Sequence, residues 1–266
     1  MTQQQGNKGY ALITGASSGI GAVYADRLAR RGYDLILVAR RADRLQELAA
    51  RITAQTGRAV ETVAADLGSR ESLAKVEAIL REDSRITMLV NNAGTASVLP
   101  ALAADVDQMS DMISLNVDAL TRLSYAAAPG FVRRGDGTII NIASVVAVAP
   151  EVLNGVYGGT KAYVLAFSRS LRHELADKGV RVHVVLPGAT ATDLWSTAGH
   201  SLDALPKEIV MTTDDMVDAA LAGLDMGEFA TIPALPDAAD WAAFEKAREV
   251  LMPNLSHSEP AARYGV

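Results

Sequence analysis

Thr14-Gly15-Ala16-Ser17-Ser18-Gly19-Ile20-Gly21 ends a short apolar run, Tyr10–Thr14, and opens a stretch of helical period, Gly19–Arg31. Glycines at a strand-to-helix turn let backbone come close to a ligand, and a helix N-terminus attracts negative charge. A pyrophosphate suits both properties. The spacing is GxxxGxG, not the more familiar GxGxxG. Read alone, these glycines also fit a tight turn that binds nothing. Gly15-Ala16-Ser17-Ser18-Gly19 fits a second pattern as well, the GxSxG of a serine nucleophile. That pattern belongs after a late central strand, whereas this turn follows the first. None of His173, His183, His200 and His257 sits on an obvious loop paired with a preceding acid. His173 and His183 read as surface residues of a helix and a strand.

Outward from the turn, short β-branched runs alternate with longer helical stretches. Tyr10–Thr14, Asp34–Arg40, Val60–Ala65, Thr87–Asn91, Thr138–Ala143 and Val180–Leu186 read as strands, and Phe229–Pro233 as a seventh. They are nearly continuous apolar runs, as strands covered on both faces should be. Gly19–Arg31, Arg41–Gln55, Ser69–Arg81, Asp107–Arg134 and Gly155–Lys178 read as helices. Gly32, Gly57, Gly135 and Gly179 stand where C-terminal glycines stop helices. The alternation predicts an α/β fold, a doubly wound parallel sheet with helices on both faces. Residues 1–235 read as one dinucleotide-binding domain, with the irregular segment 187–211 as a candidate lid. Residues 236–266 read as a C-terminal helix and tail. Trp241, Phe244, Ala247 and Leu251 recur there at near-helical spacing, an apolar stripe expected to pack beside the lid on its own subunit or a partner's.

The composition excludes several classes. The chain has 266 residues, 49% of them apolar, and a net charge of −6 without a basic block, so nothing points to nucleic acid. There are no cysteines, which removes disulfides, thiolate chemistry and cysteine metal sites, and no metal is implied. The stretch from Met1 to Lys8 is polar and too short for a signal peptide. The longest apolar run, from Ile139 to Pro150, is broken by Asn141 and Ser144, so no membrane span is expected. A cytoplasmic location fits these features.

The chemistry-bearing residues lie after the strands. Tyr157 and Lys161 are four apart in Tyr157-Gly158-Gly159-Thr160-Lys161, so a helix puts them on one face. An ammonium beside a phenol favours phenolate and lowers its pKa. Ser144, thirteen positions before Tyr157, could hold a carbonyl oxygen while the phenol moves a proton. The second strand ends Val38-Ala39-Arg40-Arg41; near this point an acid would hold a ribose 2′-hydroxyl in an NAD enzyme, but here the position is apolar and two arginines follow. An arginine there can fork onto a 2′-phosphate, with Ser18 adding a hydroxyl, and Arg40 is expected to carry most of that preference. Asp66-Leu67 ends the third strand, where Asp66 could accept from an adenine amine or cap the next helix. Asn91-Asn92-Ala93-Gly94 ends the fourth, where ligands of such sheets collect. Asn116 lies in mid-helix, where an amide needs a bend or a water to hold.

Taken together and in order, the glycine turn, Asp66, Asn91-Asn92-Ala93-Gly94, Asn116, Ser144, Tyr157 with Lys161, and Pro187-Gly188 followed by Thr192 resemble the short-chain dehydrogenase/reductase family, from about Tyr10 to Pro233. The run Ala39-Arg40-Arg41-Ala42-Asp43-Arg44-Leu45 resembles its NADP-preferring branch. The resemblance implies an NADP-dependent oxidoreductase. It implies Tyr157 as general acid/base and Lys161 as the residue that lowers its pKa and binds the nicotinamide ribose. Ser144 would hold the substrate oxygen, and Asn116 would position a relay water. Gly15, Ser17, Ser18, Gly19, Ile20 and Gly21, then Arg40, Arg41, Asp66, Leu67, Asn92, Ala93 and Gly94, would line the adenosine and pyrophosphate side. Pro187, Gly188, Thr190 and Thr192 would frame the nicotinamide. A homodimer or homotetramer, pairing the long helices at 107–134 and 155–178, is implied too. Gly158 and Gly159 depart from the usual Ser or Ala and lower helix propensity unless a close approach requires them.

The expected substrate pocket, Thr95–Val98, Val145–Leu153 and Thr190–Leu205, contains no Arg or Lys, and His200 is its one potential cation. A neutral, apolar carbonyl compound or secondary alcohol suits it better than a carboxylate. Two other readings remain open: a non-catalytic nucleotide-binding scaffold on the same fold, and the serine hydrolase.

Overall fold

The computed structural model describes residues 8–266; the polar stretch before Lys8 lies outside the described residues. Strands β1 (Tyr10–Thr14), β2 (Asp34–Ala39), β3 (Val60–Ala64), β4 (Ile86–Asn91), β5 (Gly137–Ile142), β6 (Val180–Val185) and β7 (Ala230–Thr231) form one parallel sheet in the order β3-β2-β1-β4-β5-β6-β7. The order reverses between β1 and β4, and their C-terminal ends open the crevice where ligands of such sheets bind. The doubly wound fold expected from the alternation is the observed one.

Side chains alternate across each strand, so β1 feeds two cores. Ala11 and Ile13 pack with Tyr24 and Leu28 of α1 (Gly19–Arg30), Leu45 and Leu48 of α2 (Ala42–Thr56), and Val217 and Leu221 of a helix at Thr213–Met226. Leu12 faces the other way, with Leu73 and Val76 of α3 (Arg70–Glu82), Leu123 and Phe131 of a helix at Leu120–Arg134, and Leu171 of a helix at Gly155–Leu175. β3 departs from the expectation of a strand covered on both faces. It is the sheet's edge, and Glu61 and Thr62 are exposed.

The stretch read as one helix from Asp107 to Arg134 is three segments: α4 (Val106–Ile113), a wider π-helical turn at Ser114–Ala119, and α5 (Leu120–Arg134). The next helix, α6 (Gly155–Leu175), ends before the expected Lys178 in a tight turn at Ala176–Lys178. Its Val164, Leu165, Ser168 and Leu171 are buried within the chain, so they are not the spare surface that their number suggests. What the helix leaves outside is Tyr163 and part of Phe167, stacked in series with Tyr125 of α5 at centroid separations of 5.6 and 6.1 Å.

Segment 187–211 is pinned at its base by Thr190 bridging Met211, with Ala191 N–H donating to Met211 O and Met211 N–H to Ala189 O, both at 2.9 Å. Between these ends lie α7 (Leu194–Thr197) and tight turns at Leu202–Ala204 and Lys207–Ile209. The helix after it, α8 (Thr213–Met226), occupies a stretch to which the sequence reading assigns no element. Its signal is present: Met216, Val217, Ala220, Leu221 and Leu224 keep helical spacing and are buried, and Thr212 caps the first turn.

His183 corrects the surface reading. It is fully buried on β6, where Nε2 pairs with Thr231 Oγ1 of β7 at 3.0 Å and Nδ1 has no partner. Burial pulls its pKa down to about 4. The period-2 pattern of Val180-Arg181-Val182-His183 points this side chain outward, but β6 is not an edge strand.

Residues Ala234–Val266 form a second compact unit. Its helix α9 (Ala238–Leu251) is capped by Asp237, whose carboxylate accepts from Ala239 N–H at 2.8 Å. Trp241 and Phe244 stack at 5.1 Å, yet no residue of the helix is buried. Among the described residues no helix is long and apolar enough to cross a membrane.

Candidate active site

Helix α6 is anchored where its chemistry begins. Asn154 caps it, accepting from Val156 N–H at 2.9 Å and Tyr157 N–H at 3.3 Å, while its own amide donates to Leu99 O. Asn154 is missing from the sequence-derived set, although an Asn just before a helix is an N-cap signal. One turn on, Lys161 Nζ sits 5.8 Å from the Tyr157 ring centroid. It donates to Ile142 O, at the end of β5, at 2.9 Å. Ser144 follows the same strand; its hydroxyl donates to Pro187 O at 3.4 Å and lies in hydrogen-bonding reach of the phenol. Met109, Met112 and Val146 are buried around Tyr157, and Ala96, Ala104, Leu153 and Val156 pack against them.

The electrostatics run opposite to the expectation drawn from the Tyr–Lys spacing. Burial pushes the Tyr157 phenol up, opposed only in part by Ser144. Burial also pulls the Lys161 ammonium down to about 8. Both groups lose hydration, and the lysine donates to a backbone carbonyl, so desolvation sets the direction of both shifts.

Asn116 resolves its mid-helix anomaly by sitting in the π-helical turn, where it is buried. Both ends of its amide are engaged: Nδ2 donates to Thr95 O at 2.9 Å and to Thr160 Oγ1 at 3.1 Å, and Oδ1 accepts from Thr95 N–H at 2.9 Å. The amide therefore holds a bend and ties loop 92–95 to α6. Gly94 lies over both residues; a Cβ there would stand 3.0 Å from Asn116 Oδ1 and 3.8 Å from Lys161 Nζ.

The neighbouring groove is built on Thr14, another residue the sequence reading passes over. Thr14 Oγ1 donates to Val90 O at 3.3 Å and accepts from the N–H groups of Asn92 and Ala93, each at 3.0 Å. Asn92 returns its side-chain amide to Thr14 O at 2.9 Å and Gly15 O at 3.2 Å. Gly15, at φ +63°, has no room for a side chain, since a Cβ would stand 2.8 Å from Asn92 Nδ2. α1 then starts without a side-chain cap and without an acid in its first turn. Its first N–H groups are thus open to an anion.

Arg41 reaches back across this turn, Nη2 donating to Ser18 Oγ at 3.1 Å and Ser17 Oγ at 3.3 Å. Arg40 and Arg41 are both exposed, and it is Arg41 whose guanidinium reaches the serines of the turn. Asp66 is exposed and accepts from Gly68 N–H at 3.0 Å, which makes a local turn instead of a helix cap; Leu67 is buried in the core on one face of the sheet, and Ile20 packs against the core on the other. Thr190 donates to Gly188 O at 3.1 Å within segment 187–211. Thr192 lies against Gly19, where a Cβ would meet its methyl at 3.2 Å. Asp193 pairs with Arg44 of α2 at 3.8 Å. The start of segment 187–211 thus lies against the glycine turn. The structure brings Asn116, Ser144, Tyr157, Lys161, Gly94 and Pro187 into one site and the glycine turn, Arg41, Asn92 and Thr192 into the groove beside it.

Turn, open helix end and guanidinium together fit a dinucleotide carrying an extra phosphate. Comparison with known proteins agrees. The short chain dehydrogenase family model matches residues 9–203. A very-long-chain 3-oxoacyl-CoA reductase of Anas platyrhynchos is 35% identical over 199 residues, 73% of this chain. The chain spans 64% of that protein's length. A short-chain dehydrogenase of Sphingobium yanoikuyae, solved in complex with NADPH, superposes with a TM-score of 0.92 at 49% identity, covering 95% of this chain and 98% of that one. An alcohol dehydrogenase of Comamonas testosteroni, described as specific for bulky-bulky ketones, superposes at 0.89 with 43% identity, covering 97% of this chain and 99% of that one.

Proposed function

The chain belongs to the short-chain dehydrogenase/reductase family, and from that premise we propose that it is an NADP(H)-dependent oxidoreductase interconverting a neutral, apolar ketone and its secondary alcohol. The observation that carries this reading is Tyr157, a buried phenol with Ser144 in reach and a wall of Met109, Met112 and Val146.

The open N-terminus of α1 would hold the pyrophosphate, and Arg41 with Ser17 and Ser18 the 2′-phosphate. Asp66, Leu67 and Asn92–Gly94 would line the adenosine side. Tyr157 and Lys161 would hold the nicotinamide ribose, with Pro187, Gly188, Thr190 and Thr192 framing the ring. Bound there, NADPH supplies the hydride that goes to the carbonyl carbon. Tyr157, kept protonated by its burial, gives its proton to the carbonyl oxygen. Ser144 steadies that oxygen through its hydroxyl. Lys161, with a pKa near about 8, can return a proton toward the phenol at neutral pH. A preference for NADPH would favour the reducing direction.

The Comamonas neighbour supports bulky groups on both sides of the carbonyl, and the pocket stretches carry no Arg or Lys to bind a carboxylate. The hydrolase reading lacks support, since Ser17 pairs with Arg41 and not with a histidine. A cytoplasmic homodimer or homotetramer belongs to the same reading, with the exposed Tyr125, Tyr163 and Phe167 stack as one face to be covered.

The deciding experiment follows NADPH absorbance with a panel of ketones of increasing bulk, some carrying a carboxylate. Turnover that favours neutral bulky ketones is expected. No NADPH consumption with any of them would return the scaffold reading, and a preference for carboxylates would overturn the substrate class.

A further inference from the structure

Thr160 lies between the two residues of the Tyr157–Lys161 pair, is buried, and has no part in the chemistry described above. Its hydroxyl donates to Tyr157 O at 2.8 Å, because a carbonyl can only accept. Its lone pairs are then left to accept, and Asn116 Nδ2 donates to one at 3.1 Å. The orientation of the Asn116 amide is fixed independently: Thr95 N–H requires an oxygen opposite it, and Thr95 C=O requires an N–H. Every N–H and O–H in this ring finds an acceptor, and the three residues Thr95, Asn116 and Thr160 belong to three different walls of the site. Thr95 is in the loop after β4, Asn116 in the π-helical turn, and Thr160 on the helix that carries Tyr157 and Lys161. Gly94, next to Thr95, is the residue that lies over Lys161 Nζ.

We propose that Thr160 is a positioning residue: its hydroxyl locks the Asn116 amide, and through it holds loop 92–95 at a fixed distance from Lys161 and Tyr157. Without the hydroxyl, one Asn116 N–H is left buried without an acceptor, and the amide must turn or the π-helical turn must close. Either change releases Thr95 and Gly94 from α6. The proposal rests on the catalytic reading of Tyr157 and Lys161.

The test is a double-mutant cycle with Thr160→Val, which keeps the shape and removes the hydroxyl, and Asn116→Ala. Thr160→Val alone is expected to lower kcat about tenfold, the loss typical of one buried hydrogen bond. It should also displace the limb of the kcat pH profile that Lys161 governs, and weaken NADPH binding measured by fluorescence titration. Thr160→Ser should restore all three. In an Asn116→Ala background Thr160→Val should cost nothing further. An unchanged pH profile, or losses that multiply across the two sites, would overturn the proposal. If Thr160→Val does not fold, Thr160→Ala removes the same hydroxyl and enters the same cycle. Tyr157→Phe is run alongside: if it keeps turning over, the catalytic reading fails, and the coupling in NADPH binding still decides the role of Thr160.

Discussion

Gly158 is pressed against Pro150: a Cβ on the glycine would stand 2.9 Å from Pro150 Cβ and 3.0 Å from its Cα. Its neighbour Gly159 has nothing within 4 Å of the same position. The two glycines of the active-site helix therefore have opposite meanings. Gly158→Ala should destabilise, because a backbone segment beside the pocket must move. Gly159→Ala should stabilise by about 1 kcal/mol, the ordinary gain in a helix interior. Melting temperatures of the two variants check this. A loss at Gly159 would mean that a second chain covers that face.

Tyr157→Phe should abolish turnover while NADPH still binds, since only the transferable proton is removed. Lys161→Met should also stop the reaction, yet raise the melting temperature. The lysine is buried and its ammonium is disfavoured, its pKa falling to about 8 from 10.5. Near neutral pH the folded protein carries that desolvation cost, and removing the amine removes the cost. A lowered melting temperature would show that the bond to Ile142 O outweighs it.

Arg41→Ala should weaken NADPH binding roughly ten- to hundredfold and leave NADH nearly unchanged, because one charge-assisted contact is lost. Arg40→Ala should do less, since only Arg41 is held across Ser17 and Ser18. Dissociation constants for both nucleotides decide it. Equal losses for NADPH and NADH would mean that the arginine supports the turn and does not select the phosphate.

Stability should fall between about pH 6.5 and 4 in part because of His183. Its pKa is about 4 in the fold against 6.5 for a free histidine, so the unfolded chain binds the extra proton in that window. The neutral ring thus contributes on the order of 3 kcal/mol above pH 6.5. That contribution is lost as the pH drops through the window. His183→Leu should move the acid unfolding midpoint to lower pH, measured by circular dichroism; an unmoved midpoint would assign acid sensitivity to other groups.

Much of the molecule is legible along the chain because its signals are local. The glycine turn, the alternation of apolar runs and helical stretches, and the Tyr157–Lys161 spacing each depend on residues a few positions apart, so the doubly wound sheet follows from order, and the proposed catalytic set from the family resemblance those residues carry. What the chain cannot express is who faces whom. His183 looks like an outward strand residue until β7 is laid beside it and Thr231 meets its ring. Val164 and Leu171 could by their number serve as outer surface of α6, but both are buried within the chain. Arg40 and Arg41 are equivalent as letters, and only the path of the chain at the start of α2 turns one back over Ser18. The charge state of the site is decided the same way. Spacing predicts that Lys161 lowers the pKa of Tyr157, whereas burial, which depends on every element packed above them, reverses the direction for the phenol and weakens the ammonium. Sequence carries periodicity and spacing; desolvation and partnership are properties of the packed assembly, and those set the burial and hydrogen-bond partners of this site.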